Sequence, residues 1–171
     1  VNIRSGRQKV AEANAENLAS TIRVKYTGTP GLELAGSVQI QTDITQDDSD
    51  DVEGATLLEA HVIWNEGPFG IQAMYATWSI DGTGAEALGA DEQTGLYLEG
   101  SYRFNPAFGI FARQSMWDIT AGSTADTEKT QTNVGFNYWP HEDVVVKFDL
   151  QQQDENAGDK DGFNLGIGYQ F

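Results

Sequence analysis

Cysteine is absent from the 171 residues, so neither a disulfide nor a thiolate metal site can hold this fold. Basic residues are scarce as well: ten Lys and Arg stand against 26 Asp and Glu, a formal charge of -16. Phosphates would be repelled over the whole surface, which excludes nucleic acid as a partner. No apolar run approaches the roughly 18 residues of a membrane helix. The mean hydropathy of -0.43 does not exclude a membrane barrel, because every second residue of a barrel wall is free to be polar. Imidazole bases are limited to His61 and His141. No phosphate-cradling loop and no His/Cys zinc spacing occurs, so neither an enzyme nor a bound cofactor or metal is expected.

Four prolines organise what remains. Pro30, Pro68, Pro106 and Pro140 fall 38, 38 and 34 residues apart, each in a short segment that reads as a turn. A repeat of that length accommodates two strands of about ten residues, one tight turn and one long loop. Between the prolines lie Asp43 to Gly54, Asp81 to Glu92, Asp118 to Thr130 and Asp154 to Asp161, rich in Asp, Gly, Thr and Ser and without strand alternation. They predict four exposed loops. Short turns at one end and long acidic loops at the other match an outer-membrane barrel with periplasmic turns and extracellular loops.

The intervening segments alternate with period two, the signature of a strand with one apolar face. Ile22, Val24 and Tyr26 oppose Arg23 and Lys25; Leu34, Val38 and Ile40 oppose Glu33, Ser37 and Gln39; Leu58, Val62 and Trp64 oppose Glu59 and His61. Leu96, Leu98, Tyr102 and Phe104 oppose Glu99 and Arg103, and Val134, Phe136 and Tyr138 oppose Asn133 and Asn137. Val146, Phe148 and Leu150 oppose Lys147 and Asp149, and the final strand carries Phe163, Leu165, Ile167, Tyr169 and Phe171 on one side. From Phe69 to Ile80 and from Phe108 to Ile119 the pattern does not say which face is which. Aromatic residues gather near the short turns and the C-terminus: Tyr26, Trp64, Phe69, Phe104, Phe108, Tyr138, Trp139 and Phe171. They read as an interfacial girdle, or as core packing at one end of a soluble barrel. Alternation alone does not choose between a wall facing lipid and a soluble carrier with its apolar rows inside.

Nine strands are counted from Ala19, an odd number for a single-chain bacterial barrel. Val1 is not Met and no leader-like segment precedes it. The expectation is a C-terminal part of a larger barrel, with residues 1–18 as an extracellular or inward-folded loop segment and 19–171 as barrel strands. The other reading makes Val1 to Arg7 a stunted tenth strand.

The terminal stretch GFNLGIGYQF resembles the closing strand of bacterial outer-membrane proteins, where a final Phe belongs to the assembly signal. With YTGTPGLELAG from Tyr26, ATLLEAHVIWNEGPFGIQAMYATW from Ala55, FGIFARQSMWD from Phe108 and TNVGFNYWPHEDVVVKFD from Thr132, the chain is similar to the C-terminal half of Gram-negative porins related to the phosphate-selective porin O and P family. That resemblance implies an all-β, antiparallel up-and-down transmembrane barrel in a Gram-negative outer membrane, a water-filled lumen and a homotrimer.

The strand parity nominates a pore lining of Arg23, Lys25, Glu33, Glu59, His61, Glu99, Arg103, Lys147 and Asp149, with Arg113 joining if its strand faces inward. The set is balanced in sign, unlike a strong anion filter. Tyr26, Trp64, Phe104, Tyr138, Phe148 and Phe171 are the lipid-facing or girdle candidates. Arg4, Arg7 and Lys9 would favour anions if the first segment folds into the pore, and otherwise belong to a solvated loop. Acidic loop clusters at Asp43 to Glu53 and Asp154 to Asp161 have an oxygen-rich composition able to hold divalent ions bridging to lipopolysaccharide, or they simply solvate the surface. The functional expectation is passive diffusion of small hydrophilic solutes or ions; a small barrel for adhesion or anchoring is the alternative.

Overall fold

The computed structural model describes residues 18–44, 53–154 and 160–170. Nine strands follow one another: β1 (Ala19–Thr29), β2 (Leu32–Gln41), β3 (Ala55–Glu66), β4 (Phe69–Ile80), β5 (Glu92–Asn105), β6 (Phe108–Asp118), β7 (Lys129–His141), β8 (Val144–Asp154) and β9 (Gly162–Tyr169). Each pairs antiparallel with the next, giving one up-and-down sheet in sequence order. Among the described residues β1 and β9 pair on one side only. Their outer edges therefore carry backbone groups that hydrocarbon would leave unmet, and in a membrane they need covering.

Pairing register fixes the two faces that periodicity left open. Val62 stands opposite both Leu34 and Ala73, and Leu98 opposite Ala73 and Gln114. Directly paired residues share a face, so Ile71, Ala73 and Tyr75 of β4 and Ile110, Ala112 and Met116 of β6 join the apolar side. Gln72, Met74 and Trp78, with Phe111, Arg113, Ser115 and Trp117, lie on the other.

Exposure then says which side is inside. Leu58, Leu98 and Leu150 are 51%, 54% and 59% exposed, whereas the His61 and Glu99 side chains on the opposite face keep only 14%. Among the described residues the buried apolar side chains are two alanines, Ala55 and Ala85, and no large side chain is fully enclosed. The oily rows thus build no dry interior. Gln72 of β4 and Asn164 of β9 also border one recess. Five strand spacings of about 4.8 Å would hold them about 24 Å apart on a flat sheet. The sheet therefore curls with its polar face inward.

The stagger of the hairpins agrees with such a curl. Trp64 pairs with Leu32 two residues before β3 ends at Glu66; Tyr102 pairs with Phe69 three residues before Asn105; Tyr138 pairs with Phe108 three residues before His141. With the turns level, steps of two to three residues at about 3.3 Å, taken over two spacings of about 4.8 Å, tilt the strands by about 35–45°, the range barrel closure requires.

Three of the turns fall where the prolines place them. Pro30 and Gly31 join β1 to β2, Gly31 at φ 79° in the position that a type II turn reserves for glycine; Gly67 and Pro68 join β3 to β4, and Pro106 and Ala107 join β5 to β6. Pro140 departs from the expectation. It lies inside β7, and the fourth turn is Glu142–Asp143. The ladder shifts register between Tyr138 and His141, and a residue without an N–H is tolerated in that bulge. The segment after β4 is likewise not a plain loop, since it forms α1 (Thr83–Leu88), closed by Gly89 at φ 64°. A left-handed cap favours glycine, and a side chain there would also overlap Ser123 of the β6–β7 loop. Strands also reach into the expected loop segments: Glu92 opens β5, Asp118 ends β6, Lys129 opens β7 and Asp154 ends β8.

On the outer face an unbroken series of ring contacts runs Phe69, Tyr102, Phe104, Phe108, Phe136, Phe148, Phe163, with centroids 5.0–6.2 Å apart. Tyr26, Trp64, Phe104 and Tyr138 lie on the apolar face toward the short-turn end, as the alternation requires. Trp139 does not: Arg103, on the polar face, stacks its guanidinium 4.2 Å from the Trp139 ring, so this indole belongs to the inner rim rather than the girdle. Phe171 lies outside the described residues.

If the apolar face meets acyl chains, Leu98→Arg should cost about 2–4 kcal/mol in lipid vesicles. Gln39→Arg on the polar face should stay within about 1 kcal/mol. Urea unfolding in vesicles followed by tryptophan fluorescence reads both, and equal costs would contradict the assignment of faces.

Candidate functional site on the polar face

Two charged networks and an amide-rich recess occupy the inner wall. The first spans β1 to β3, where Arg23, Ser37 and Glu59 share one row and Lys25, Ala35 and His61 the next. Small residues in the middle strand leave room for long side chains to meet across it. Glu33 Oε1 lies 3.8 Å from Arg23 and 3.3 Å from His61 Nε2, and its Oε2 lies 3.4 Å from Lys25 Nζ. Glu59 Oε1 is 2.5 Å from His61 Nδ1, while its Oε2 accepts from Ser37 Oγ at 2.9 Å. The imidazole is thus held between two carboxylates. Ser37 donates to Glu59 and not to His61, so this is no nucleophile-and-base pair.

The second network stands on the row Gln72, Glu99, Arg113, Asn133, Gln151 across β4 to β8. Arg113 directs both Nε (2.9 Å) and Nη2 (2.6 Å) at Glu99 Oε2, and its guanidinium lies 4.8 Å from the Tyr97 ring centre. The expectation for Arg113 is thereby resolved: it faces the same side as Glu99.

Beside it, Asp149 Oδ2 accepts from Asn133 Nδ2 at 2.7 Å and from Asn164 Nδ2 at 2.9 Å. Asn133, buried on the inner wall, has its own Oδ1 taken by Gln131 Nε2 at 2.6 Å. Asp149 leans over Gly135, its direct partner on β7, where an added Cβ would strike the Phe148 carbonyl and the Asp149 side chain. These groups enclose a recess of about 410 Å³, bordered by Glu99, Arg113, Lys147 and Asp149 and by a set of carboxamides.

Of the sequence-nominated lining, Arg23, Lys25, Glu33, Glu59 and His61 come together in the first network, and Glu99, Lys147 and Asp149 around the recess. Arg103 joins neither: at the short-turn rim it stacks on Trp139 and donates through Nη2 to the Pro106 carbonyl at 2.5 Å. Arg4, Arg7 and Lys9, and most of the two acidic loop clusters, lie outside the described residues. Gln72, Phe111, Gln131, Asn133, Asn137 and Asn164 border the recess without being among the sequence-nominated lining, although alternation puts Asn133, Asn137 and Asn164 on the polar face. The available signal was the uncharged member of each alternation, which invites no attention until six strands are laid side by side.

His141, Glu142 and Asp143 bring three ligand-type atoms within 4.8 Å of one another in the exposed fourth turn. Hydrogen bonding closes that turn, the Asp143 N–H donating to His141 Nδ1 at 3.3 Å. At the long-loop end, the two structured loops are tied together by the Gly122 N–H donating to the Gly89 carbonyl at 3.1 Å and by the Ala121 N–H donating to the Glu92 carbonyl at 2.9 Å.

Gly135→Ala should displace Asp149 and destabilise the fold by about 1–3 kcal/mol. Gly166→Ala, where an added Cβ meets nothing, should be neutral or stabilise by up to about 1 kcal/mol, because glycine inside a strand loses more backbone freedom than alanine. Chemical unfolding of both variants in detergent micelles reads the difference, and equal costs would contradict the close approach of Asp149.

No family model matches this sequence, and no curated protein matches it. Among solved structures, the chain is similar to OmpT, an outer membrane protein of Vibrio cholerae folded in vitro, with a TM-score of 0.63 at 14% identity. The similarity covers 91% of this chain and 56% of that one, so the chain spans little more than half the length of its structural neighbour. At this identity the comparison speaks to fold, which is that of an outer-membrane β-barrel.

Proposed function

We propose that this chain builds part of the wall of an outer-membrane pore through which small hydrophilic solutes and ions diffuse passively. The observation that carries the reading is the division of faces: charged and amide groups line the enclosed side while the aliphatic rows face outward, the arrangement a water-filled lumen in hydrocarbon demands. The resemblance to porins of the O and P group supports the same reading, in a Gram-negative outer membrane with lipopolysaccharide at its outer surface.

Phosphate selectivity is not part of the proposal. Arg23, Lys25, Arg103, Arg113 and Lys147 face Glu33, Glu59, Glu99 and Asp149 on the inner wall, and most of these are bound to one another or to neutral partners. A ring of fixed charge selects ions through its net field, and this wall has little net field to offer.

Reconstituted into a planar bilayer, the full chain should give discrete conductance steps, with a reversal potential near zero across a KCl gradient. Lys147→Glu should shift that potential toward cation preference. Absence of conductance in protein that inserts and resists extraction would sink the pore and leave a structural or adhesive barrel.

A further inference from the structure

We infer that the recess between β4 and β9 is a binding site for an uncharged polyhydroxylated solute of about monosaccharide size, recognised through a pair of adjacent hydroxyls; the inference builds on the pore reading. Five carboxamides border it: Gln72, Gln131, Asn133, Asn137 and Asn164. A carboxamide both donates and accepts, and so does a hydroxyl, so this lining matches a polyol better than it matches an ion. Phe111 adds an apolar ring against which the C–H face of a sugar can lie.

The charges around the recess cancel. Arg113 is bound to Glu99, and Asp149 is satisfied by two amide donors. Two groups keep unused capacity. Lys147 has no carboxylate partner among the described residues, and Asn137, directly opposite it on the β7–β8 ladder, has an enclosed Oδ1 without a hydrogen bond. Turning that amide toward a solute hydroxyl gains a bond and breaks none made by its oxygen. A vicinal diol fits the pair, with one oxygen accepting from Lys147 Nζ and the neighbouring O–H donating to Asn137 Oδ1. The volume of about 410 Å³ corresponds to the share of about fourteen waters, room for a hexose of about twelve non-hydrogen atoms.

The test uses D-glucose, with gluconate and glucosamine as anionic and cationic probes of the same size. In a planar bilayer, glucose should lower the ion current of the full chain saturably, and the charged probes should do so more weakly. Lys147→Ala with Asn137→Ala should raise the half-saturating concentration about tenfold, the loss of two hydrogen bonds. Lys147→Ala alone should give an intermediate shift. Saturation-transfer NMR of glucose on micellar protein reads binding without conduction. Binding in micelles without channel steps would sustain the site and overturn the pore. Channel steps whose current falls only linearly with glucose, with no transfer signal, would overturn the site and leave the pore. An unchanged half-saturation in the double variant, or tighter binding of either charged probe, would also overturn it.

Discussion

The described sheet depends on the antiparallel ladder, which satisfies the N–H and C=O groups of β2 to β8 on their neighbours and thereby fixes side-chain direction with period two. In hydrocarbon an unpaired backbone group costs several kcal/mol, and a sheet that closes its bonds strand to strand is one of the few solutions. Once that ladder is set, residues at alternate positions have no choice of face. Leu34, Val62 and Leu98 stand in adjoining registers on one side, and Glu33, His61 and Glu99 on the other. The same constraint explains why the described residues, with only Ala55 and Ala85 buried among the apolar ones, still hold a defined sheet. Its organisation comes from pairing and from an apolar surface that requires a nonaqueous surrounding, not from a packed core.

The inner wall uses that enforced geometry to make polar chemistry out of distant segments. Glu99 and Arg113 are partners because β5 and β6 pair in one register, and Asp149 reaches both Asn133 and Asn164 because Gly135 leaves room above β7. Most charges are held by opposite charges or amides, so the wall is polar while its net field stays small. Such a surface suits solutes that exchange water for hydroxyl and amide contacts more than it suits a filter for one sign of ion.

Much of this was legible in the sequence, and the failures have physical causes. Nine strands, three of their four short turns and the faces of seven followed from proline spacing and alternation. β4 and β6 resisted because their inner faces carry bulky apolar groups, Met74, Trp78, Phe111 and Trp117, which erase the contrast that periodicity relies on. Only pairing with β3 and β5 assigns them. Pro140 was misplaced because a bulge tolerates proline as readily as a turn does. α1 was hidden by the glycines at both its ends, which read as loop. The charged half of the site was visible strand by strand. The amide half was not, because Gln72 and Asn164 lie 92 residues apart and share a recess only through the curl of the sheet.

The central claim is the outward orientation of the apolar rows. Nitroxide labels placed singly at positions 96 to 101 of β5 in vesicles, with collision rates to oxygen and to a water-soluble nickel chelate measured at each, test it most directly. Outward-facing apolar rows give oxygen-rich, nickel-poor collisions at 96, 98 and 100 and the reverse at 97, 99 and 101. A flat profile, or one of opposite phase, would contradict that orientation.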